Sequence, residues 1–112
     1  MNVNSNWGTL FQREIDQAKN ARAAGNEGMA RVCARRAAGI VVGEYLQRRG
    51  ISTLKPSAYD RLQYLISVPD ISDEIRQAAS HLVTRVTPDH ILPIDVDLIS
   101  EALWLKERLL ES

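Results

Sequence analysis

Several features are scarce or absent in this sequence of 112 residues, and each absence excludes a class of protein. A single cysteine, Cys33, cannot form an internal disulfide, and no cysteine–histidine spacing typical of zinc sites occurs. No apolar run approaches the roughly 18 to 20 residues of a membrane-spanning helix. The first residues, MNVNSNW, lack the charged and then apolar pattern of a signal peptide. We therefore expect a soluble, cytoplasmic protein that holds no metal or cofactor and does not enter a membrane.

Familiar catalytic motifs are missing as well. The sequence contains no glycine-rich phosphate loop, no GxSxG and no HExxH. Paired carboxylates occur at Asp73–Glu74 and at Asp95–Asp97, but each pair lies at the predicted start of a helix, where acidic side chains stabilise the helix end. These residues alone do not identify an enzyme.

Aromatic residues make up only 5% of the sequence. Tyr45, Tyr59 and Tyr64 are too scattered to predict a surface on which nucleic-acid bases would stack. Of the two histidines, His81 lies opposite the apolar stripe of its predicted helix, so we expect a solvated surface residue.

Alternating β-branched runs are absent, and apolar residues instead recur at three- and four-residue steps, which is typical of helices. The predicted helices run from Trp7 to a turn at 25–28, over about 27–49, over about 57–67, from Ser72 to about Val86, and from about Asp95 through Leu109. The sequence predicts an all-α fold: one domain over residues 1–112, an antiparallel bundle of four main helices plus one short helix, at 57–67.

The second predicted helix is lined with small residues, and two of them are glycines. A glycine inside a helix costs about 0.8 to 1 kcal/mol relative to alanine, so its presence needs a reason. Gly39 and Gly43 are four residues apart and share a face with little side-chain bulk, which lets another helix approach closely. Together with Ala34, this face either packs tightly within the bundle or forms the seam of a homodimer. Cys33 lies among these residues, and we expect it to be a small buried hydrophobe.

The net charge is zero, but the charges are unevenly distributed. Residues 1–61 carry ten basic and five acidic groups, a net of +5, and residues 62–112 carry four basic and nine acidic groups, a net of −5. One interpretation is that the two halves attract each other, within a chain or across a dimer. The other is that Arg31, Arg35 and Arg36 on the second helix bind nucleic-acid phosphate or an acidic partner.

One larger pattern resembles a known family. A helical hairpin with an alanine- and arginine-rich second helix (ARVCARRAAGIVVGEYLQRRG) precedes a helix that ends in Arg-x4-His just before the last helix. This arrangement, over about residues 7–110, resembles the HEPN family of small helical bundles. Some members are metal-independent ribonucleases, and others are encoded beside a small nucleotidyltransferase.

The resemblance implies roles for Arg85 and His90, which match the Arg-x4-6-His motif of the catalytically active branch. In that branch the motif cleaves RNA across a dimer interface. A histidine with a pKa near ~6.5 transfers protons at neutral pH, and an arginine stabilises the charge that develops on phosphate. The sequence departs from the family pattern at Val86, where a polar residue is common, and Asp89 adds a negative charge where RNA would approach. In an alternative without catalysis, Arg85 pairs with Asp89 and His90 lies in a surface loop.

Two hypotheses of function follow. In the first, the protein is a HEPN-like homodimer that serves as a non-catalytic interaction module for a nucleotidyltransferase or a toxin–antitoxin-type partner. In the second, it is a metal-independent ribonuclease that uses Arg85 and His90, while Arg31 and Arg35 guide the RNA backbone. We favour the first, because a neutral chain with Asp89 in the motif is poorly suited to RNA.

Overall fold

The computed structural model of the chain describes residues 6–51, 57–89 and 91–111. All regular secondary structure in these residues is helical, which confirms the all-α prediction for this part of the chain. The helices are α1 (Trp7–Ala23), α2 (Glu27–Arg48), α3 (Ala58–Ser67), α4 (Asp73–Val83) and α5 (Leu98–Leu110). None of the described helices is long and apolar enough to cross a membrane.

Four of the described helices begin at a residue whose side chain caps the first turn. Side chains of Asn26, Ser57, Ser72 and Asp97 each accept a hydrogen bond from a backbone N–H in the first turn of the helix that follows, at 3.0, 3.4, 3.1 and 3.1 Å. Each such cap stabilises a helix by about 1 kcal/mol. Capping at Asp97 begins α5 three residues after the predicted start, since Asp95 and Val96 precede the cap.

The predicted length of α4 is wrong. The apolar stripe continues to Val86, but the helix ends at Val83, because Thr84 adopts an extended backbone with φ −66° and ψ 130°. With 11 residues, α4 is nearly as short as α3 with 10. The described chain therefore has two short helices where one was predicted.

The core is built around α2, which packs against α1, α3, α4 and α5. All five helices contribute to one cluster of buried apolar residues. Ala34, Ala37 and Ala38 are completely buried, because their small side chains let the neighbouring helices approach α2 from several directions. Cys33 is only 2% exposed, as expected, and burial raises the pKa of its thiol.

A close helix approach lies between α2 and α3 of one chain. A Cβ built on Gly39 would lie 2.5 Å from the Cβ of Ala58 and 2.7 Å from its Cα. Gly43 lies beneath the side chain of Arg61, whose Nη1 donates a hydrogen bond to the carbonyl oxygen of Gly39 at 3.2 Å. Since Ala34 and Gly39 are buried by helices of their own chain, they offer no surface to a second copy.

Ion pairs join the positive first half of the chain to the negative second half. Arg22 at the end of α1 bridges Glu27 on α2 and Asp97 at the start of α5, with its Nη2 at 2.8 Å and 3.0 Å from the two carboxylates. Arg49 contacts Asp70 at 2.9 Å. At least part of the charge asymmetry is thus balanced within a single chain.

Candidate anion-binding surface

The candidate site begins with Arg35, which holds the end of α4 against α2. Its Nε donates a hydrogen bond to the carbonyl oxygen of Leu82 at 2.8 Å. Carbonyls in the last turn of a helix have no partner within the helix, so a cation is a favourable cap there. This bond fixes the guanidinium of Arg35 in a partly buried position on the surface between α2 and α4.

Arg85 is brought to the same place by the segment that leaves α4. It lies exposed two residues beyond the helix end, and its guanidinium carbon is 5.1 Å from the centre of the Tyr59 ring. Tyr59 is in the first turn of α3. This cation–π contact favours a position of the guanidinium beside the ring, with a contribution of about 0.5 to 1 kcal/mol at an exposed site.

Arg35 and Arg85 are close enough to repel each other. Burial is the main cause that lowers the pKa of Arg35 below its ordinary value, and the positive charge of Arg85 lowers it further. Among the described residues neither arginine forms an ion pair with a carboxylate, Asp89 included. We call Arg35, Arg85 and Tyr59 the arginine cluster.

Arg76 caps the end of α3 as Arg35 caps the end of α4. Unlike the arginine cluster, Arg76 also has a carboxylate partner. Its Nε and Nη2 donate hydrogen bonds to the carbonyl oxygens of Ile66 and Val68, each at 3.0 Å. Its Nη1 also pairs with Asp73 at 2.8 Å. A capping role therefore accounts for Arg35, but it does not account for the second cation, Arg85, beside it.

The predicted arginine surface of α2 is divided between two sides of the helix. Arg31 lies one turn before Arg35 on the same side, and its Nε is 4.0 Å from Glu27 Oε2. Arg36 lies on the other side, where it lines a groove of about 200 Å³ with Glu14 of α1 and Ala58 and Arg61 of α3. The structure thus brings Arg35 to Arg85, leaves Arg31 beside Glu27 one turn earlier on α2, and places Arg36 on another side of the helix.

The predicted pair of Arg85 and His90 is described only at Arg85, because His90 lies outside the described residues. Convergence of the two side chains in one cleft stays a prediction.

The prediction for His81 is wrong. Its Nδ1 contacts Glu101 Oε1 on α5, and the two side chains are 23% and 22% exposed. With Glu74 and Trp104 they line a groove of about 200 Å³ between α4 and α5. The periodicity of α4 places His81 away from the stripe, but it does not report that α5 packs beside it.

Exposed apolar side chains accompany the arginine cluster. Val86 is 42% exposed and directly follows Arg85, and Ile91 is 59% exposed. The backbone N–H of Thr87 donates a hydrogen bond to the carbonyl oxygen of Ile91 at 2.8 Å, which closes the turn between α4 and α5. The segment after α4 therefore carries a cation and two exposed apolar side chains within seven residues, 85–91.

Within the described ranges, no group of three or more histidine, cysteine, aspartate or glutamate side chains is arranged to hold a metal ion. Comparisons with protein-family models, curated proteins and solved structures give no significant match. The fold and the surface define an all-helical protein with an unbalanced pair of arginines, and the HEPN resemblance stays a prediction.

Proposed function

We propose that this protein is a non-catalytic interaction module that binds an anionic partner through the arginine cluster. One observation carries the proposal: Arg35 and Arg85 share Tyr59 as a neighbour, the charge of Arg85 lowers the pKa of Arg35, and neither forms an ion pair with a described carboxylate. Two like charges at short range oppose folding, and a bound anion would relieve that repulsion.

The two guanidiniums are prepared for binding before a partner arrives. Arg35 is held by the carbonyl of Leu82 through Nε alone, and its Nη1 and Nη2 make no hydrogen bond to described residues. Arg85 lies over the ring of Tyr59, and none of its donors is hydrogen-bonded to a described residue. Planar guanidiniums fit the paired oxygens of carboxylate and phosphate, and prior positioning reduces the entropy lost on binding.

Fluorescence anisotropy with two labelled probes tests the proposal: a short acidic peptide and single-stranded oligouridine, each at low salt. We expect at least one probe to bind, and Arg85→Gln to weaken it about tenfold, as loss of a charged interface contact does. Arg13→Gln is the matched control, because Arg13 is an exposed arginine on α1 outside the cluster. Arg35→Gln should act like Arg85→Gln once circular dichroism shows a folded protein.

Two results would overturn the proposal. One is that neither probe binds at low salt. The other is that Arg13→Gln weakens binding as much as Arg85→Gln, since binding would then depend on general charge and not on the cluster.

Metal-independent RNA cleavage by Arg85 and His90 is the second candidate function. One observation favours it: Arg85 is exposed and pairs with no described carboxylate, as a residue that contacts phosphate must be. Cleavage of RNA in the presence of a chelator, lost in both Arg85→Ala and His90→Ala, would establish catalysis and replace the non-catalytic proposal.

A HEPN-like module would also serve a nucleotidyltransferase or an antitoxin as its partner. That identity rests on the family resemblance. A homodimer would have to use a surface other than Ala34 and Gly39, which are buried within the chain.

A further inference from the structure

The surroundings of the arginine cluster are apolar as well as cationic. Only five large apolar side chains are markedly exposed in the described residues: Met29, Tyr64, Val86, Ile91 and Leu103. Two of the five, Val86 and Ile91, belong to the loop that carries Arg85, and the Thr87–Ile91 hydrogen bond keeps them in one turn. Together with Arg85, they give this turn a mixed cationic and apolar character.

This combination suits a protein partner better than a nucleic acid. Arginine, aromatic and apolar side chains together characterise the centre of protein–protein interfaces. Affinity for nucleic acid comes mainly from phosphate contacts, in which an exposed valine and isoleucine take no part.

We infer that the partner is a protein segment in which carboxylates flank an apolar side chain: the carboxylates bind Arg35 and Arg85, and the apolar side chain packs on Val86 and Ile91. This inference rests on the function proposed above and names its partner class. Two features favour this partner. The two arginines have no carboxylate partner among the described residues, and the exposed side chains of Val86 and Ile91 belong to the loop that carries Arg85.

Binding of three labelled probes tests the inference: the peptide EELEE, the matched peptide EESEE, and single-stranded oligouridine. We expect EELEE to bind about tenfold more tightly than EESEE, because the leucine adds an apolar contact to the same carboxylates. The double variant Val86→Ser with Ile91→Ser should remove that difference and leave EESEE binding unchanged. Met29→Ser is the matched control, since Met29 is 45% exposed but lies at the start of α2.

The outcomes separate the inference from the function on which it rests. If oligouridine binds through Arg85 and neither peptide binds, the inference is wrong and the anion-binding function stands. If the two peptides bind equally, the apolar contact is absent and the inference is likewise overturned. If no probe binds, both fall.

Discussion

Gly39 and Gly43 lie on one face of α2, yet a methyl group at each position would meet a different kind of neighbour. At Gly39 the neighbour includes backbone, because the Cα of Ala58 would lie 2.7 Å from the new carbon. At Gly43 it is the end of the Arg61 side chain, with Nη1 at 2.5 Å. A backbone atom moves only when its helix moves, whereas a long side chain can rotate away.

This difference predicts unequal effects of the same substitution. We expect Gly39→Ala to lower the free energy of unfolding by about 1 to 3 kcal/mol through overpacking. Gly43→Ala should stay within about 1 kcal/mol of the wild type, because gained helix propensity offsets displacement of Arg61. Urea unfolding measures both variants. Equal losses at the two positions would contradict the contact between Gly39 and the α3 backbone.

The partners of individual side chains are the part of the site that could not be predicted from the sequence. Helical spacing does place Arg35 and Arg36 about 100° apart around α2, because there are 3.6 residues per turn. It does not show that Arg35 meets Arg85 and Tyr59, since those contacts depend on how α3 and the end of α4 pack. The scattered positions of the tyrosines therefore did not predict that the ring of Tyr59 contacts Arg85.

Helices were predictable because their determinants are local. Apolar periodicity and residues such as Ser72 and Asp97 lie within a few positions of the helix ends that they define. The end of α4 was missed because Val86 continues the apolar pattern, while the chain turns away at Thr84. The sequence does not distinguish an exposed apolar residue from a buried one, and Val86 is exposed.

Three helices are joined at one point by Arg22, which predicts a pH dependence of stability. Hydrogen bonds from Arg22 lower the pKa of Glu27 below 4.5 and that of Asp97 below 3.8. A carboxyl whose folded pKa is depressed stabilises the fold above its unfolded pKa, and this contribution is lost as the pH falls through the folded pKa.

We therefore expect Arg22→Met to be less stable than the wild type at neutral pH. Because the Arg22 and carboxylate side chains are about 40% exposed, each pair contributes only about 0.2 to 1 kcal/mol. The difference should shrink as the pH is lowered below 4.5 and then below 3.8. Urea unfolding across this range tests it, with Arg13→Met as the control. A difference that does not change with pH would show that Arg22 acts through packing.

The assembly state depends on which surfaces remain after the chain has folded on itself. A homodimer was predicted from the small-residue face of α2, but α3 of the same chain covers Gly39, and Ala34 is fully buried. The halves of opposite charge also meet within the chain, through Arg22–Asp97 and Arg49–Asp70. The small-residue face and the charge asymmetry are thus accounted for within one chain, and the homodimer that the HEPN resemblance implies would need another surface.

We accordingly expect light scattering to give the mass of a monomer, 12.5 kDa, at micromolar concentration. The same measurement on Arg85→Gln should give the same mass, because that variant alters only the proposed partner surface. A dimer in the wild type would require an interface away from the α2 glycines. If Arg85→Gln also dissociated that dimer, Arg85 would lie at the contact between copies, as the ribonuclease hypothesis requires, and it would not be free to bind a separate anionic partner.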